Sequence, residues 1–435
     1  EQIRYHGRDT ALVRARLSNA VAVLGTATPS LESFGNVERG KLRRLALPER
    51  VDGRPMPVVE LVDMNLPRGD ETTTTTTPPT KAAAGPRRKA RPPGLFSPPL
   101  LDALAAVLAR GEQSLVFLNR RGHTRVVECE DCGYVARCAQ CDVALTWHSS
   151  GDVFRCHYCG FEAEATGACP QCESPFFRHR GSGTQKAEKE LATLFPAARV
   201  LRLDSDSARP RGEQARILAA FGKGEADILL GTQMIAKGLD FHGVTLVGVV
   251  TADTSLHLPD FRAAERTFQT LVQVAGRAGR GDRPGKVVVQ THAPDHYSLV
   301  AAAAHDFPAF AVRETQFRRD LGYPPFGRLV TFGLAGKDED RVVDAAGRVA
   351  SLALHAKQER NGAGEELAIL GPAPSPLPRL RGKHRWRVTL KDSDAPRLHA
   401  VARATLETLE RASGPAERLP SGVALTVDVD PYDVL

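Results

Sequence analysis

The sequence predicts a multidomain α/β protein interrupted by a module that two zinc ions hold together. Three observations predict this. All eight cysteines of the 435 residues fall between Cys129 and Cys172, in four Cys-x-x-Cys pairs. On either side of that stretch, short apolar runs ending in Gly, Thr, Asn or Asp alternate with helical patterns, the rhythm of a parallel sheet with crossover helices. The apolar content of 42% can fill more than one core, and at roughly 150 residues per domain the length suggests about three domains.

The cysteine pairs are Cys129/Cys132, Cys138/Cys141, Cys156/Cys159 and Cys169/Cys172. Each knuckle puts two thiolates on one tight turn, so four knuckles supply two four-cysteine zinc sites with no thiol left over. Three pairings of the knuckles are open. A sequential pairing joins neighbours across only five and nine residues. A nested pairing joins Cys138/Cys141 to Cys156/Cys159 across fourteen residues, whose alternation on either side of Ser149-Ser150-Gly151-Asp152 reads as a hairpin. The hairpin signal favours nesting, with Cys129, Cys132, Cys169 and Cys172 on one zinc and Cys138, Cys141, Cys156 and Cys159 on the other. His148 and His157 are spare donors that eight thiolates leave unneeded. No three-ligand set with a neighbouring Glu base stands out, so both ions read as structural.

Lys and Arg number 58 against 51 Asp and Glu, a formal charge of +7 and a pI of about 9.0, which favours polyanionic partners without identifying them. No run approaches the ~20 apolar residues of a membrane span, and no signal peptide is visible. The expected location is cytoplasmic, where a reducing medium keeps paired cysteines as metal ligands. The chain opens on Glu1 rather than Met, as a fragment would.

In chain order, Val21 to Leu24 reads as a short buried strand, and Gly25 to Pro29 as a loop that turns the hydroxyls of Thr26 and Thr28 outward. An ordinary turn with Ser30 capping a helix at Leu31 and Glu32 fits the same residues. Residues 65–94 hold Thr72 to Thr77, an alanine run and Arg87, Arg88, Lys89 and Arg91, and read as a disordered linker. A helix over SPPLLDALAAVLARG leads to a buried strand, Ser114 to Leu118, that ends at Arg120 and Arg121, where open α/β sheets bind ligands. Beyond the cysteines, Gly183-Thr184-Gln185 lacks the lysine of a phosphate loop. Strands follow at Arg199 to Leu203, Asp227 to Leu230 and from Val244, with a helix over Glu213 to Gly222 and a polar loop at Gly231-Thr232-Gln233. Residues Phe261 to Arg280 read as a helix whose Arg277 and Arg280, three apart, share a face. Gly276 and Gly279 allow close approach there. Such arginines can clamp a γ-phosphate.

The runs TATPS (26–30), FLNRRG (117–122), GTQMIAKGLDF (231–241) and QVAGRAGR (273–280) resemble motifs III to VI of superfamily 2 helicases. With a cysteine-rich insertion directly after FLNRRG, they resemble the PriA family of replication-restart helicases. So do YPPFGRLV (323–330), residues 371–391 with RGKHRWR, and the terminal VDVDP (427–431). The resemblance implies two RecA-like lobes that bind ATP and Mg²⁺ between them. Residues 1–64 would end the first lobe, 95–127 and 179–303 form the second, 128–178 the zinc insertion, and 304–435 an α+β C-terminal domain. It implies that Gly238, Asp240, Gln273 and Gly276 reach the nucleotide and that Arg277 and Arg280 sense its γ-phosphate. Thr26, Thr28, Arg120, Arg121, Thr232 and Gln233 would meet DNA. Lys383 and Arg387 would receive the acidic tail of single-stranded DNA-binding protein, within a patch that includes Arg385 and Trp386. On the residues alone, that patch is either a basic surface with an aromatic platform or a basic edge strand with Trp386 in the core. Implied partners are branched and single-stranded DNA, primosome proteins and the replicative helicase; the implied reaction is ATP-driven 3′-to-5′ unwinding.

The chain departs from the family pattern where hydrolysis begins. It has neither a Gly-x-x-x-x-Gly-Lys-Ser/Thr loop nor an Asp-Glu-x-His motif, and it opens on RYHGRD (4–9), which in the family follows that acidic motif. Without the phosphate cradle and the carboxylate that holds Mg²⁺, Arg277 and Arg280 cannot drive hydrolysis. An absent upstream segment and a decayed first lobe both fit. A zinc-ribbon adaptor without enzymatic activity is the reading from another class.

Overall fold

The structure, a computed structural model, describes residues 5–432 except 48–52, 54, 66–93, 119–126, 130–131, 133, 140–142, 149–152, 157–158, 165–167, 176, 180–183, 205–211, 233, 236–240, 282, 361–366, 412–413 and 415–417. Helices α1 (Gly7–Leu17) and α2 (Leu31–Glu38) come first. The expected strand between them does not form: Val21 and Val23 are 91% and 85% exposed. An extended segment needs a neighbour for its N–H and C=O groups, and none of the described strands lies beside it. Ser30 does cap α2, its hydroxyl accepting the Ser33 N–H at 3.3 Å.

Strand β1 (Val58–Asp63), helix α3 (Pro98–Ala109) and strand β2 (Gln113–Phe117) lead to five three-residue strands of the cysteine region, β3 (Val127–Cys129), β4 (Thr146–His148), β5 (Val153–Arg155), β6 (Glu162–Glu164) and β7 (Phe177–His179). Then come α4 (Thr184–Leu194), β8 (Val200–Leu203), α5 (Glu213–Gly222), β9 (Ile228–Gly231), β10 (Val244–Val249), α6 (Asp253–Leu256), α7 (Ala263–Ala275), β11 (Lys286–Thr291), α8 (Tyr297–Ala303) and α9 (Phe307–Asp320). A parallel sheet runs β1-β11-β10-β2-β9-β8. Its strands are apolar on both sides because both faces are covered. Leu115 and Phe117 join α5 and α7 in one core, whereas Val116 and Leu118 join α3 and α4 in the other.

Two expected boundaries shift. Strand β1, assigned by sequence to the first lobe, is an edge strand of this sheet, in register with β11 from Val58↔Lys286 to Asp63↔Thr291. Helix α9, assigned to the C-terminal domain, sets Phe310 into the lobe core. Apolar complementarity decides both, and local sequence does not report it. Most of the expected linker, 66–93, lies outside the described residues; Asn65 donates its side-chain amide to the His292 carbonyl at 2.8 Å.

The last part is β12 (Arg328–Gly336), α10 (Glu339–Glu359), β13 (Ala368–Leu380), β14 (Lys383–Asp392), α11 (Ala395–Arg411) and β15 (Ala424–Val429). The antiparallel order β13-β14-β12-β15 is a split β-α-β arrangement. Both helices cover one face, burying Val330, Phe332, Leu334, Val388 and Leu390. Among the described residues no helix is long and apolar enough to cross a membrane.

Candidate metal centres and nucleic-acid interface

The cysteines gather as the nested scheme requires. Cys129, Cys132, Cys169 and Cys172 form one group, and Cys138, Cys156 and Cys159 the other; Cys141 lies outside the described residues, as do His157 and the His148 side chain. Sulfur separations are 3.5 Å for Cys129–Cys172, and 3.6 Å for Cys132–Cys169 and Cys138–Cys159. A tetrahedral ion with Zn–S bonds of about 2.3 Å needs sulfurs about 3.8 Å apart, so the thiols already stand near ligand geometry.

The knuckles share one backbone design. The N–H of Cys129, Cys138, Cys156 and Cys169 donates to the carbonyl five residues on, at Tyr134, Val143, Phe161 and Ser174, over 2.8–2.9 Å. Burial pushes the Cys132 thiol up. At Cys169, burial is outweighed by backbone N–H groups of Gln171 and Cys172, which hold it below the ordinary thiol value. The expected hairpin is β4 with β5, Trp147 opposite Phe154, and β6 adds a third strand. Strands β3 and β7 pair at the base, so the module leaves and rejoins the lobe at one place. It also packs on both neighbours: Val143, Leu145 and Cys156 cluster with Phe261 of the lobe and with Tyr323, which precedes β12.

The candidate contacts fall at opposite ends of the sheet. Thr232 follows the carboxyl end of β9, on the edge from which the zinc module springs after β2. Gly231 is needed there, since a Cβ would lie 2.5 Å from the Leu203 carbonyl oxygen. Arg277 and Arg280 stand at the amino end, because the Gly279 N–H donates to the Val244 carbonyl at 3.1 Å. With six residues of β10 between, the two ends are about 20 Å apart. The helix expected to carry both arginines stops at Ala275, and Gly276 and Gly279 turn the chain instead. Gly279 has φ +68°, and a Cβ on it would lie 2.5 Å from the Gly285 nitrogen, so its smallness admits another backbone strand. Arg280 donates Nε–H to the Gly276 carbonyl at 2.9 Å, and Gln273 is exposed on the last helical turn. Arg120, Arg121, Gln233, Gly238 and Asp240 lie outside the described residues. Thr28 is buried, with its N–H donating to Thr26 Oγ1 at 3.1 Å.

A buried ionic cluster ties these parts together, and the sequence reading missed it. Arg318 donates to Glu265 at 2.6 Å, Glu314 at 2.9 Å and the Pro324 carbonyl at 3.2 Å. Glu265 also accepts the Leu31 N–H at the start of α2, at 3.0 Å. Arg262 bridges Glu32 at 2.7 Å and the Pro431 carbonyl at 3.1 Å. One signal was present: Glu314 and Arg318 sit on the helical stripe begun by Phe310. Burial would raise the Glu32 carboxyl, but Arg262 and Arg318 outweigh it and hold it at about 2, below its ordinary 4.5. A depressed carboxyl stabilises the fold above its unfolded pKa, so this contribution is complete above pH 4.5 and is lost as pH falls towards 2. Glu32→Gln is therefore expected to flatten the acid limb of the stability curve in that window; an unchanged slope in urea titrations at pH 2–4.5 would contradict the pairing.

The basic C-terminal segment is neither an exposed aromatic platform nor an edge strand. Strand β14 lies between β13 and β12. Alternation sends Trp386 into the core under the helices and Lys383, Arg385 and Arg387 to the other face. Arg387 is only 4% exposed, and Arg385 is half-buried, whereas Lys383 is open.

Comparison with known proteins follows the same divisions. Residues 319–432 match the primosomal protein N C-terminal domain, 179–282 the helicase conserved C-terminal domain, and 138–163 the PriA DNA helicase Cys-rich region. Replication restart protein PriA of Bacillus subtilis (strain 168) is 40% identical over 434 residues, covering 99% of this chain and 50% of that protein. The namesake proteins of Synechocystis sp. (strain ATCC 27184 / PCC 6803 / Kazusa) and Haemophilus influenzae (strain ATCC 51907 / DSM 11121 / KW20 / Rd) are each 38% identical, over 99% of this chain and 48% and 54% of their own lengths. The chain thus spans about half the length of the curated relatives it matches. Since lobe, cysteine region and C-terminal domain are each matched, and the relatives align over 99% of the chain, the chain belongs to the PriA family.

Proposed function

We propose that this chain is the second helicase lobe, zinc module and C-terminal domain of a replication-restart protein. In this reading it binds stalled or branched forks and single-stranded DNA, and with primosome proteins it reloads the replicative helicase. The observation that carries the reading is the zinc module's place. It springs from the carboxyl edge of the sheet beside Thr232 and is braced against the C-terminal domain through Tyr323. A module fixed at both ends presents a rigid surface to a fork.

Unwinding would require a nucleotide-binding lobe that supplies the phosphate loop and holds Mg²⁺. Arg277 and Arg280 would then face the γ-phosphate while the opposite edge of the sheet meets DNA. On its own, this chain binds without turnover. Lys383, exposed where Arg387 is buried, would meet the acidic tail of single-stranded DNA-binding protein.

Fluorescence anisotropy at several salt concentrations tests the reading. The expected result is a salt-sensitive preference for a branched fork over linear duplex, since each phosphate contact adds to the salt slope. No DNA binding at low salt would replace it with the adaptor reading. DNA-stimulated ATP hydrolysis that Arg280→Ala abolishes would overturn the absence of turnover.

A further inference from the structure

The carboxyl edge of the sheet carries a cleft that the helicase motifs do not explain. It holds about 450 Å³ where the zinc module, the lobe and α9 meet. Sites for small ligands occupy roughly 300–1,000 Å³ and favour such junctions; a duplex would not enter.

Two arginines come to it from different parts of the chain, Arg137 from the zinc module and Arg313 from α9. Phe317 lies one helical turn from Arg313, is 38% exposed, and has the Arg313 guanidinium 5.9 Å from its ring centre. Tyr297 stacks behind Phe317 with ring centres 5.6 Å apart. Of the other charges that line the cleft, Arg318 is held by Glu265 at 2.6 Å and Glu314 at 2.9 Å and Asp260 by Arg266 at 2.8 Å, and the exposed Asp295 stands at its margin. Burial, with Arg137 nearby, pushes His296 down to about 4. Its ring is therefore neutral at pH 7, and its Nδ1 accepts the Ser298 N–H at 3.3 Å at the start of α8.

We infer that this cleft receives one unstacked nucleotide of single-stranded DNA, its base against Phe317 and its phosphate between Arg137 and Arg313. Every base has a face to stack, so the contact tolerates sequence. The geometry suits a strand leaving a fork, because the cleft shares the edge of the sheet with Thr232 and the zinc module. This inference rests on the DNA-binding reading above.

The test uses the whole 435-residue chain and two probes, an oligothymidylate and the same length of abasic phosphodiester. Phe317→Ala is expected to weaken oligothymidylate binding about tenfold and to leave the abasic strand almost unchanged. Arg313→Gln is expected to weaken both probes and to lower the salt slope by about 0.7. Phe317→Leu keeps the apolar bulk and serves as the folding control; it should lose the stacking preference while melting as the unsubstituted chain does. Unsubstituted chain that binds neither probe would refute DNA binding itself. Oligothymidylate binding that Phe317→Ala leaves unchanged would overturn the cleft alone. An acidic peptide that competes for Arg313 while oligothymidylate does not would also overturn it.

Discussion

Stripping both zinc ions with a strong chelator is expected to unfold the module between β3 and β7 while the parallel sheet survives. The reason is one of scale. The module's strands are three residues each, and its own apolar cluster is small, centred on Val143, Leu145 and Phe154. Small folds of this kind take most of their stability from metal, on the order of 10 kcal/mol per structural zinc. The lobe is independent of that contribution, because its core is built from β2, β9, β10 and the helices around them. Limited proteolysis with mass mapping checks this. Cuts should appear within the cysteine region on metal removal and be absent from residues 213–304. A cysteine region that stays protected without metal would contradict the assignment of zinc as its scaffold.

The second large effect is expected at Arg318, one of the largest fully buried side chains, at 2% exposure. Alanine there leaves Glu265 and Glu314, whose side chains are 4% and 3% exposed, without their shared cation. Removing one partner of a buried ionic set costs about 3–5 kcal/mol. Pairing Arg318→Ala with Glu314→Gln should recover part of the loss, since one of the stranded charges then disappears. Urea unfolding of the three proteins measures it. A loss under about 1 kcal/mol for Arg318→Ala would show that water reaches the cluster and that its charges are screened.

The zinc module was the most legible part of the sequence because thiolate chemistry is local. A Cys-x-x-Cys turn has few other uses in a reducing medium, and an alternating fourteen-residue spacer selects the nested pairing. Buried strands such as Ser114 to Leu118 and Asp227 to Leu230 were legible for a similar reason, being short, apolar and closed by polar loops. What escaped depends on tertiary context. Val21 to Leu24 has a strand's composition, yet a strand exists only beside another, and composition carries no record of a neighbour. The arginines of QVAGRAGR were assigned to a helix that Gly276 and Gly279 end. The close approach of Gly285 makes a turn the better solution there. The residues alone fit Trp386 both as a platform among cations and as a core side chain, because sequence adjacency conceals the alternation that sends it to the face opposite them. Glu32, Arg262, Glu265, Glu314 and Arg318 come from three helices and their flanks, and nothing in any one helix announces the others.

The nested pairing is the claim on which the module's rigidity depends, and counting metal in a double variant tests it most directly. Cys129→Ser with Cys169→Ser removes two ligands from one site if Cys129, Cys132, Cys169 and Cys172 share an ion. Elemental analysis should then find about one zinc per chain, against about two in the unsubstituted protein. Under sequential pairing the same two substitutions fall on different sites. A value near zero would contradict the nested arrangement.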